Sequence, residues 1–132
     1  MLISNGDFSS AKEYLDRSLT IARANDDEVE IANVISKLGS WEYHQDRFVE
    51  AIEQFEMAIN ILRDADKAFH PDVAKYLNNL GFIHGKLGKP CLASQYIEEA
   101  LDVLELKIGI EHPDYREIAD NLVSLDMEKC SQ

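Results

Sequence analysis

The stretch His70–Gly81, which reads HPDVAKYLNNLG, decides the fold because its landmarks return elsewhere in the chain at one constant distance. Its first three residues recur as His112-Pro113-Asp114, a shift of 42 residues. Other residues match at the same shift: Leu38, Leu80 and Leu122; Gly39 and Gly81; Ala51 and Ala93; Ala58 and Ala100; Asn79 and Asn121. A constant period between about 20 and 50 residues indicates a stacked repeat array. The sequence therefore predicts a repeat protein and favours binding over catalysis.

The composition is typical of a globular protein with a strong negative charge. The chain has 132 residues, of which 45% are hydrophobic and 29% charged, and its formal net charge is −12. Nucleic acids and anionic membranes both attract clustered lysine and arginine, and a chain with a net negative charge favours neither. We therefore expect neither nucleic acid nor membrane as a partner.

The sequence carries no sign of export or membrane insertion. No apolar run approaches the roughly 18 residues of a transmembrane helix. The start, Met1–Asn5, lacks the basic and long apolar segments of a signal peptide. Cys91 and Cys130 do not have metal-ligand spacing, and we expect both to be reduced thiols. These features predict a cytoplasmic protein.

Apolar residues recur at helical spacing along nearly the whole chain. The pattern predicts an all-α fold of six helices, at about 8–24, 28–44, 48–65, 71–87, 90–108 and 113–129. Asp27 with Glu30 resembles a capping box, and Pro71 suits a first helical turn. Gly88 and Gly109 suit left-handed helix ends. The connecting loops are short, so sequential helices should lie antiparallel.

Gly39 and Gly81 need an explanation of their own, because glycine inside a helix destabilises it by about 1 kcal/mol relative to alanine. Both follow a repeated leucine at the same phase of the period. We infer that each glycine lets a second helix approach closely. Ala51 and Ala93, which also repeat, would supply small surfaces on the opposite helices.

The repeated residues resemble the signature of a tetratricopeptide repeat. One copy is carried by Leu38, Gly39, Ala51, Phe55 and Ala58, and a second by Leu77, Leu80, Gly81, His84, Gly88, Ala93, Ile97 and Ala100. The 42-residue period is longer than the family's usual length and is similar to the long-helix variant of kinesin light chains, in which HPDVA followed by LNNLG or LNNLA is typical. His84 stands where that family often has tyrosine, and we expect it to pack within its helix pair.

The resemblance implies a right-handed superhelical array of antiparallel helix pairs, an α-solenoid forming a single domain over residues 1–132. Helix 8–24 would be the second half of a repeat. Segments 28–65 and 71–108 would be complete repeats, and 113–129 the first half of another. The implied function is a non-catalytic interaction module that binds a peptide segment of a partner in its concave groove.

In this family the first helix of each pair lines the groove, which implies a set of contact residues. These are Asn33, Ser36, Lys37, Ser40, Tyr43 and His44; Lys75, Asn78, Asn79 and Phe82; and Glu117, Asp120, Asn121 and Ser124. Asparagine amides suit extended peptides because each offers donors and an acceptor. Asn79 and Asn121 either contact ligand or join neighbouring helices, whereas Asn78 favours a ligand contact. Phe82 is either a core residue or an anchor for an apolar group.

Charge narrows the expected partner. Relatives that clamp a chaperone's C-terminal carboxylate use lysine, asparagine and arginine, but Ser36, Ser40, Glu117 and Asn121 stand at those positions. Glu117 and Asp120 would repel a carboxylate. We therefore expect a basic peptide with an apolar anchor rather than an acidic one.

No residue set favours catalysis, a metal or a cofactor. His70 and His112 lie one repeat apart at helix starts, where capping and turn roles explain them. The sequence lacks a phosphate-binding glycine loop and a nucleophile elbow. We expect no enzyme activity and no bound metal or cofactor.

An alternative function is assembly through the terminal helices. Helix 8–24 lacks the partner helix of its repeat, and helix 113–129 would expose Leu122, Leu125 or Met127. Repeat arrays need polar caps to stay soluble. Self-association would cover these faces and make the protein a homo-oligomer.

Overall fold

A computed structural model describes residues 5–125 and 130, with the backbone alone for residues 5–7. Six helices follow one another: α1 (Asn5–Ala24), α2 (Glu28–Tyr43), α3 (Phe48–Asp64), α4 (Pro71–Lys86), α5 (Pro90–Lys107) and α6 (Pro113–Val123). No strand occurs in the described part of the chain. The predicted all-α fold is confirmed, and the predicted limits of α3, α4 and α5 differ from the observed ones by at most one residue at each end.

The chain divides into two compact units. The first, Met1–Ala65, contains α1, α2 and α3, and the second, Asp66–Gln132, contains α4, α5 and α6. Within the first unit α2 packs against both α1 and α3. Within the second unit α5 packs against both α4 and α6. The single domain over residues 1–132 stays a prediction.

The repeated His-Pro-Asp triplet begins a helix in both places where it occurs. His70 Nδ1 accepts a hydrogen bond from the backbone N–H of Asp72 at 3.0 Å, and His112 Nδ1 accepts one from Asp114 at 3.1 Å. Each histidine thereby satisfies one backbone donor that the helix itself leaves open. The proline that follows occupies the first turn, where its missing N–H leaves no bond unmade. The expected capping role of both histidines is confirmed.

Other helix limits follow from turn chemistry. The side chain of Asp27 accepts from the Glu30 N–H at 3.2 Å, as the capping pattern predicts. Gly88 and Gly109 follow α4 and α5 with φ of 79° and 83°, the left-handed region that glycine enters without steric penalty. These contacts confirm the predicted start of α2 and the predicted glycine stops.

The two repeated glycines lie where helices touch. A Cβ on Gly39 would be 3.0 Å from Cε2 of Phe55, on α3. A Cβ on Gly81 would be 2.7 Å from Cγ1 of Ile97 and 3.1 Å from the carbonyl oxygen of Ala93, both on α5. The inferred close approach of paired helices is confirmed in each unit.

The core of each unit is built from the predicted apolar stripes. In the first unit Ala51, Phe55, Ala58 and Leu62 of α3 are buried against α2. Helix α1 joins them through Leu15, which packs with Val34 and Leu38. In the second unit the largest fully buried side chains are Val73, Leu77, Leu80, Ile83 and Ile97.

Polar contacts complete these interfaces. In the first unit Trp41 Nε1 donates to the backbone carbonyl of Phe8 at 2.8 Å, which fixes α1 on α2. In the second unit the His84 ring stacks on the Tyr96 ring, with centroids 5.3 Å apart. His84 therefore packs within its helix pair, as expected.

Two helix limits differ from the prediction by more than one residue. Helix α1 begins at Asn5, three residues before the predicted start at residue 8. Helix α6 ends at Val123, where Ser124 caps it by donating its backbone N–H to the carbonyl of Asp120. Residues 126–129, predicted to continue that helix, lie outside the described residues.

The expectation of reduced cysteines is wrong. Cys91 and Cys130 form a disulfide, with Cα atoms 4.8 Å apart, within the usual range for such bonds. Cys91 lies in the first turn of α5, and Cys130 lies after α6. Sequence spacing could not show this pairing because it depends on the path of the chain after α6. Reduced thiols were one argument for a cytoplasmic location, and the disulfide removes that argument. The cytoplasmic location stays a prediction.

Candidate functional site

One face of α4 carries three candidate residues of the second unit: Lys75, Asn78 and Phe82. Pro71, Lys75, Asn78 and Phe82 follow one another at intervals of three or four residues, so they form a single stripe. The His70 cap fixes where this stripe starts. The stripe faces outward, because Lys75 and Phe82 are exposed and Asn78 is half-buried.

A pocket of about 260 Å³ lies beside this stripe, between α4 and α6, and we call it the α4–α6 pocket. It is lined by Pro71, Ala74, Lys75, Asn78, Asn79, Leu104, Asp114, Glu117 and Ile118. Ala74, Leu104 and Ile118 are buried and form an apolar floor. Lys75, Asp114 and Glu117 are exposed and form a charged rim. The pocket thus combines an apolar base with charges at its opening.

An amide pair links the two walls of the pocket. Asn121 on α6 donates from Nδ2 to Oδ1 of Asn78 on α4, at 3.1 Å. Such a bond contributes about 1 kcal/mol to stability. Asn121 therefore joins neighbouring helices, one of the two roles that its sequence position allowed. The bond uses the side-chain oxygen of Asn78 as acceptor, so the amide nitrogen of Asn78 can donate to other groups.

The rim is negatively charged on balance. Lys75 Nζ lies 3.9 Å from Oδ1 of Asp72 on its own helix, and the lysine side chain is 68% exposed. An ion pair this exposed is weak. Asp114 Oδ2 lies 3.8 Å from Nδ1 of His112, which accepts the hydrogen bond from the Asp114 backbone N–H. The carboxylates of Asp114 and Glu117 are exposed at the mouth of the pocket.

Phe82 stands one turn beyond Asn78 on the same stripe. Its side chain is 57% exposed, which settles the choice between core and surface in favour of the surface. An exposed aromatic side chain next to amides and a pocket is typical of a binding surface.

The candidates on α2 belong to the first unit and differ in accessibility. Lys37, Ser40 and His44 are exposed, and Asn33 is half-buried. Ser36 is buried and donates from Oγ to the carbonyl of Asn33 at 2.6 Å, so its hydroxyl serves its own helix. The ring of Tyr43 contacts the rings of His44 and Phe48 edge-on, with centroids 5.4 and 5.6 Å away.

Sequence reasoning found part of the pocket. It named Lys75, Asn78, Asn79 and Glu117, all of which line it. It missed five lining residues: Pro71, Ala74, Leu104, Asp114 and Ile118. Asp114 belongs to the repeated triplet, so a signal for it existed. Leu104 comes from α5, a second helix of its pair, and only packing reveals that it reaches the pocket.

Among the remaining buried polar residues, Glu42 and Ser94 have partners within the fold. The Glu42 carboxylate of the first unit lies 3.1 Å from Nε of Arg47, which holds the turn after α2. Among the described residues no group of three histidine, cysteine, aspartate or glutamate side chains is arranged to hold a metal ion. No helix in the described part of the chain is long and apolar enough to cross a bilayer.

The tetratricopeptide repeat model matches residues 1–64 and 30–106. The chain belongs to the tetratricopeptide repeat family. Repeats of this family are protein-interaction modules built as solenoids of helix pairs, and the six helices fit that fold. The resemblance carried by His70–Gly81 is thereby confirmed.

Curated relatives place this member near the kinesin light chains. The chain is 30% identical over 127 residues to Protein KINESIN LIGHT CHAIN-RELATED 3 of Arabidopsis thaliana, covering 94% of this chain and 19% of that protein. It is 26% identical over 100 residues to Protein KINESIN LIGHT CHAIN-RELATED 1 of the same plant, covering 76% of this chain and 16% of that protein. Most of each relative thus lies outside the match.

A solved structure supports the same fold. The crystal structure of BtubC (BKLC) from P. vanneervenii aligns with a TM-score of 0.83 at 24% identity. The alignment covers 94% of this chain and 52% of that chain. At this identity the similarity shows the fold alone, an α-solenoid of the kinesin-light-chain type.

Proposed function

We propose that this chain binds a peptide segment of a partner protein and catalyses no reaction, with the α4–α6 pocket as a principal contact. The observation that carries the proposal is the pocket itself, which is lined mainly by α4 and α6, the helices that the family resemblance implies as groove-lining. Its apolar floor can bury part of a ligand side chain, and its rim and amides can orient the rest.

The neighbouring residues suit an extended peptide. Asn78 keeps its amide nitrogen available because only its oxygen is bound by Asn121. An amide nitrogen donates to peptide carbonyl groups whatever their side chains. Phe82, exposed one turn further on, offers an aromatic surface to an apolar side chain. Within the first unit, the exposed Lys37, Ser40 and His44 of α2 stay predicted peptide contacts.

A peptide library tests the proposal directly. Twelve-residue random peptides displayed on phage are selected on the wild-type protein, and the enriched peptides are measured by fluorescence anisotropy. Asn78→Ala/Phe82→Ala removes the amide and the aromatic surface. The matched control is Gln95→Ala/Leu106→Ala, which removes an exposed amide and an exposed apolar side chain from α5 of the same unit.

We expect the first double variant to lose the selected peptides, about tenfold or more in Kd, and the control to keep them. A tenfold loss corresponds to about 1.4 kcal/mol. Equal loss in both variants, or enrichment of no peptide at all, would overturn the proposal. Circular dichroism spectra of both variants must match the wild type, so that lost binding reports lost contacts.

A specific observation also favours assembly as a second function. On α1, Tyr14 and Ile21 lie two turns apart on one face and are 69% and 62% exposed. Val123 at the end of α6 is 83% exposed. We infer that these apolar side chains contact a second copy of the chain or another protein. Light scattering over a wide concentration range should show a mass above that of a monomer, and Tyr14→Lys/Ile21→Lys should abolish it. A monomer at every concentration would refute self-association.

A further inference from the structure

The α4–α6 pocket and Phe82 are separated by a fixed distance on one helix. Lys75, at the middle of the pocket's α4 wall, is seven residues before Phe82. Seven residues make almost two turns, so both lie on one stripe, about 10 Å apart along the axis. A bound segment that fills the pocket and covers Phe82 must match this distance.

The shape and charge of the pocket favour a long cationic side chain. Its volume of about 260 Å³ is below the range of about 300–1,000 Å³ that small-molecule sites occupy. Its floor of Ala74, Leu104 and Ile118 suits an aliphatic stem. Its rim carries the carboxylates of Asp114 and Glu117. Lysine and arginine have this form, an apolar stem with a charged head.

Among the described residues that line the pocket, Lys75 alone carries a positive charge, and it does not reverse this preference. It lies 3.9 Å from Asp72 and is largely exposed, so its ammonium can remain with Asp72 or turn to solvent. An acidic ligand side chain would meet both Asp114 and Glu117 at the mouth. Like charges in such positions oppose binding and so select against acidic partners.

We propose that the pocket receives a lysine or arginine side chain of the bound segment, and that Phe82 receives an apolar side chain three positions away from it. In a polyproline II conformation the chain has three residues per turn and rises about 3.1 Å per residue. Side chains three positions apart then point the same way and lie about 9 Å apart, close to the spacing on α4. This inference rests on the proposed peptide-binding function and adds the charge and the spacing of the ligand.

The experiment compares two charge-removing variants that alter net charge equally. Asp114→Asn/Glu117→Gln neutralises the rim of the pocket. Asp102→Asn/Glu105→Gln neutralises two exposed carboxylates on α5 outside the pocket. The same phage-displayed random library is selected on the wild type and on both variants. One enriched peptide is then synthesised with its basic residue changed to glutamate, and with the spacing to its apolar residue shortened or lengthened by one.

We expect peptides selected on the wild type and on the α5 variant to carry lysine or arginine three positions from an aromatic or aliphatic residue. Selection on the rim variant should lose the basic residue but keep the apolar one. The exchange to glutamate, and each change of spacing, should weaken binding about tenfold.

The outcomes separate this inference from the function on which it rests. Peptides that bind and need Asn78 and Phe82, but show no basic preference or no fixed spacing, would overturn the inference and leave the proposed function intact. A basic preference that survives in the rim variant would place the cation elsewhere and also overturn it. Enrichment of no peptide on the wild type would overturn both.

Discussion

At the scale of single residues, two glycines on α4 show how a repeat encodes contact. Gly81 recurs as Gly39 one period earlier, and a Cβ at either position would press on a side chain of the paired helix. Gly85 has no such counterpart, since Tyr43 stands one period before it. A Cβ on Gly85 would meet Leu125 Cδ2 at 3.4 Å, an ordinary contact. The sequence distinguishes Gly81 from Gly85 because only Gly81, which packs against the neighbouring helix, recurs one period earlier.

Alanine at Gly81 and alanine at Gly85 should change the free energy of unfolding in opposite directions. Gly81→Ala places a methyl group 2.7 Å from Cγ1 of Ile97 and 3.1 Å from a backbone oxygen, so the helices must move apart. Overpacking of this kind destabilises by about 1–3 kcal/mol, more than the roughly 1 kcal/mol gained in helix propensity. Gly85→Ala gains the propensity with little strain and should stabilise by up to about 1 kcal/mol. Urea unfolding followed by circular dichroism measures both, and a shared sign would contradict the packing argument.

At the scale of elements, helix starts were predictable because their signals are local. The cap of α4 needs only His70, Pro71 and the N–H of Asp72, which are adjacent in sequence. Such signals placed the starts of five helices correctly. The start of α1 and the end of α6 were less predictable, since Asn5 and Gly6 are residue types that also favour turns and Val123 is followed by serine rather than glycine. Lys75, Asn78 and Asn79 of the pocket's α4 wall followed from the family resemblance, whereas the floor residue Leu104 depends on how α5 packs.

The histidine cap gives a prediction about α4. His70→Ala removes the acceptor for the Asp72 N–H and should destabilise the second unit by about 1 kcal/mol. His70→Asn restores a side-chain acceptor at this position and should recover most of that loss. Thermal unfolding of the two variants and the wild type gives the comparison. Equal destabilisation by alanine and asparagine would show that the imidazole acts through packing rather than through the hydrogen bond.

At the scale of the whole molecule, the family followed from the repeated residues and the helix content from apolar spacing, but the covalent structure followed from neither. The disulfide joins residues 39 apart in sequence, across α5 and α6. No periodic pattern identifies such a bond, because Cys91 and Cys130 are not related by the 42-residue period. Location and partner are likewise not encoded in the packing positions that repeat.

Reduction of the disulfide should destabilise the second unit. In the chain-entropy model, a cross-link over 39 residues stabilises the fold by about 4 kcal/mol. Urea unfolding with and without dithiothreitol should show a loss of up to that size in the wild type. Cys91→Ala/Cys130→Ala should resemble the reduced wild type and should not respond to the reductant. Identical midpoints for oxidised and reduced wild type would show that the bond contributes nothing to stability.

The disulfide also makes residues 91–130 a closed ring, and the turn between α5 and α6 lies inside it. Ile110 in that turn is 56% exposed, which makes the turn accessible to a protease. A cut there opens the ring without releasing a fragment, so Asp114 and Glu117 stay tethered to α5. The nicked protein should therefore migrate as one species on a non-reducing gel and as two once the sulfurs are reduced. Proteolysis of this turn would therefore be missed by a non-reducing gel, because the bridge keeps the two pieces together.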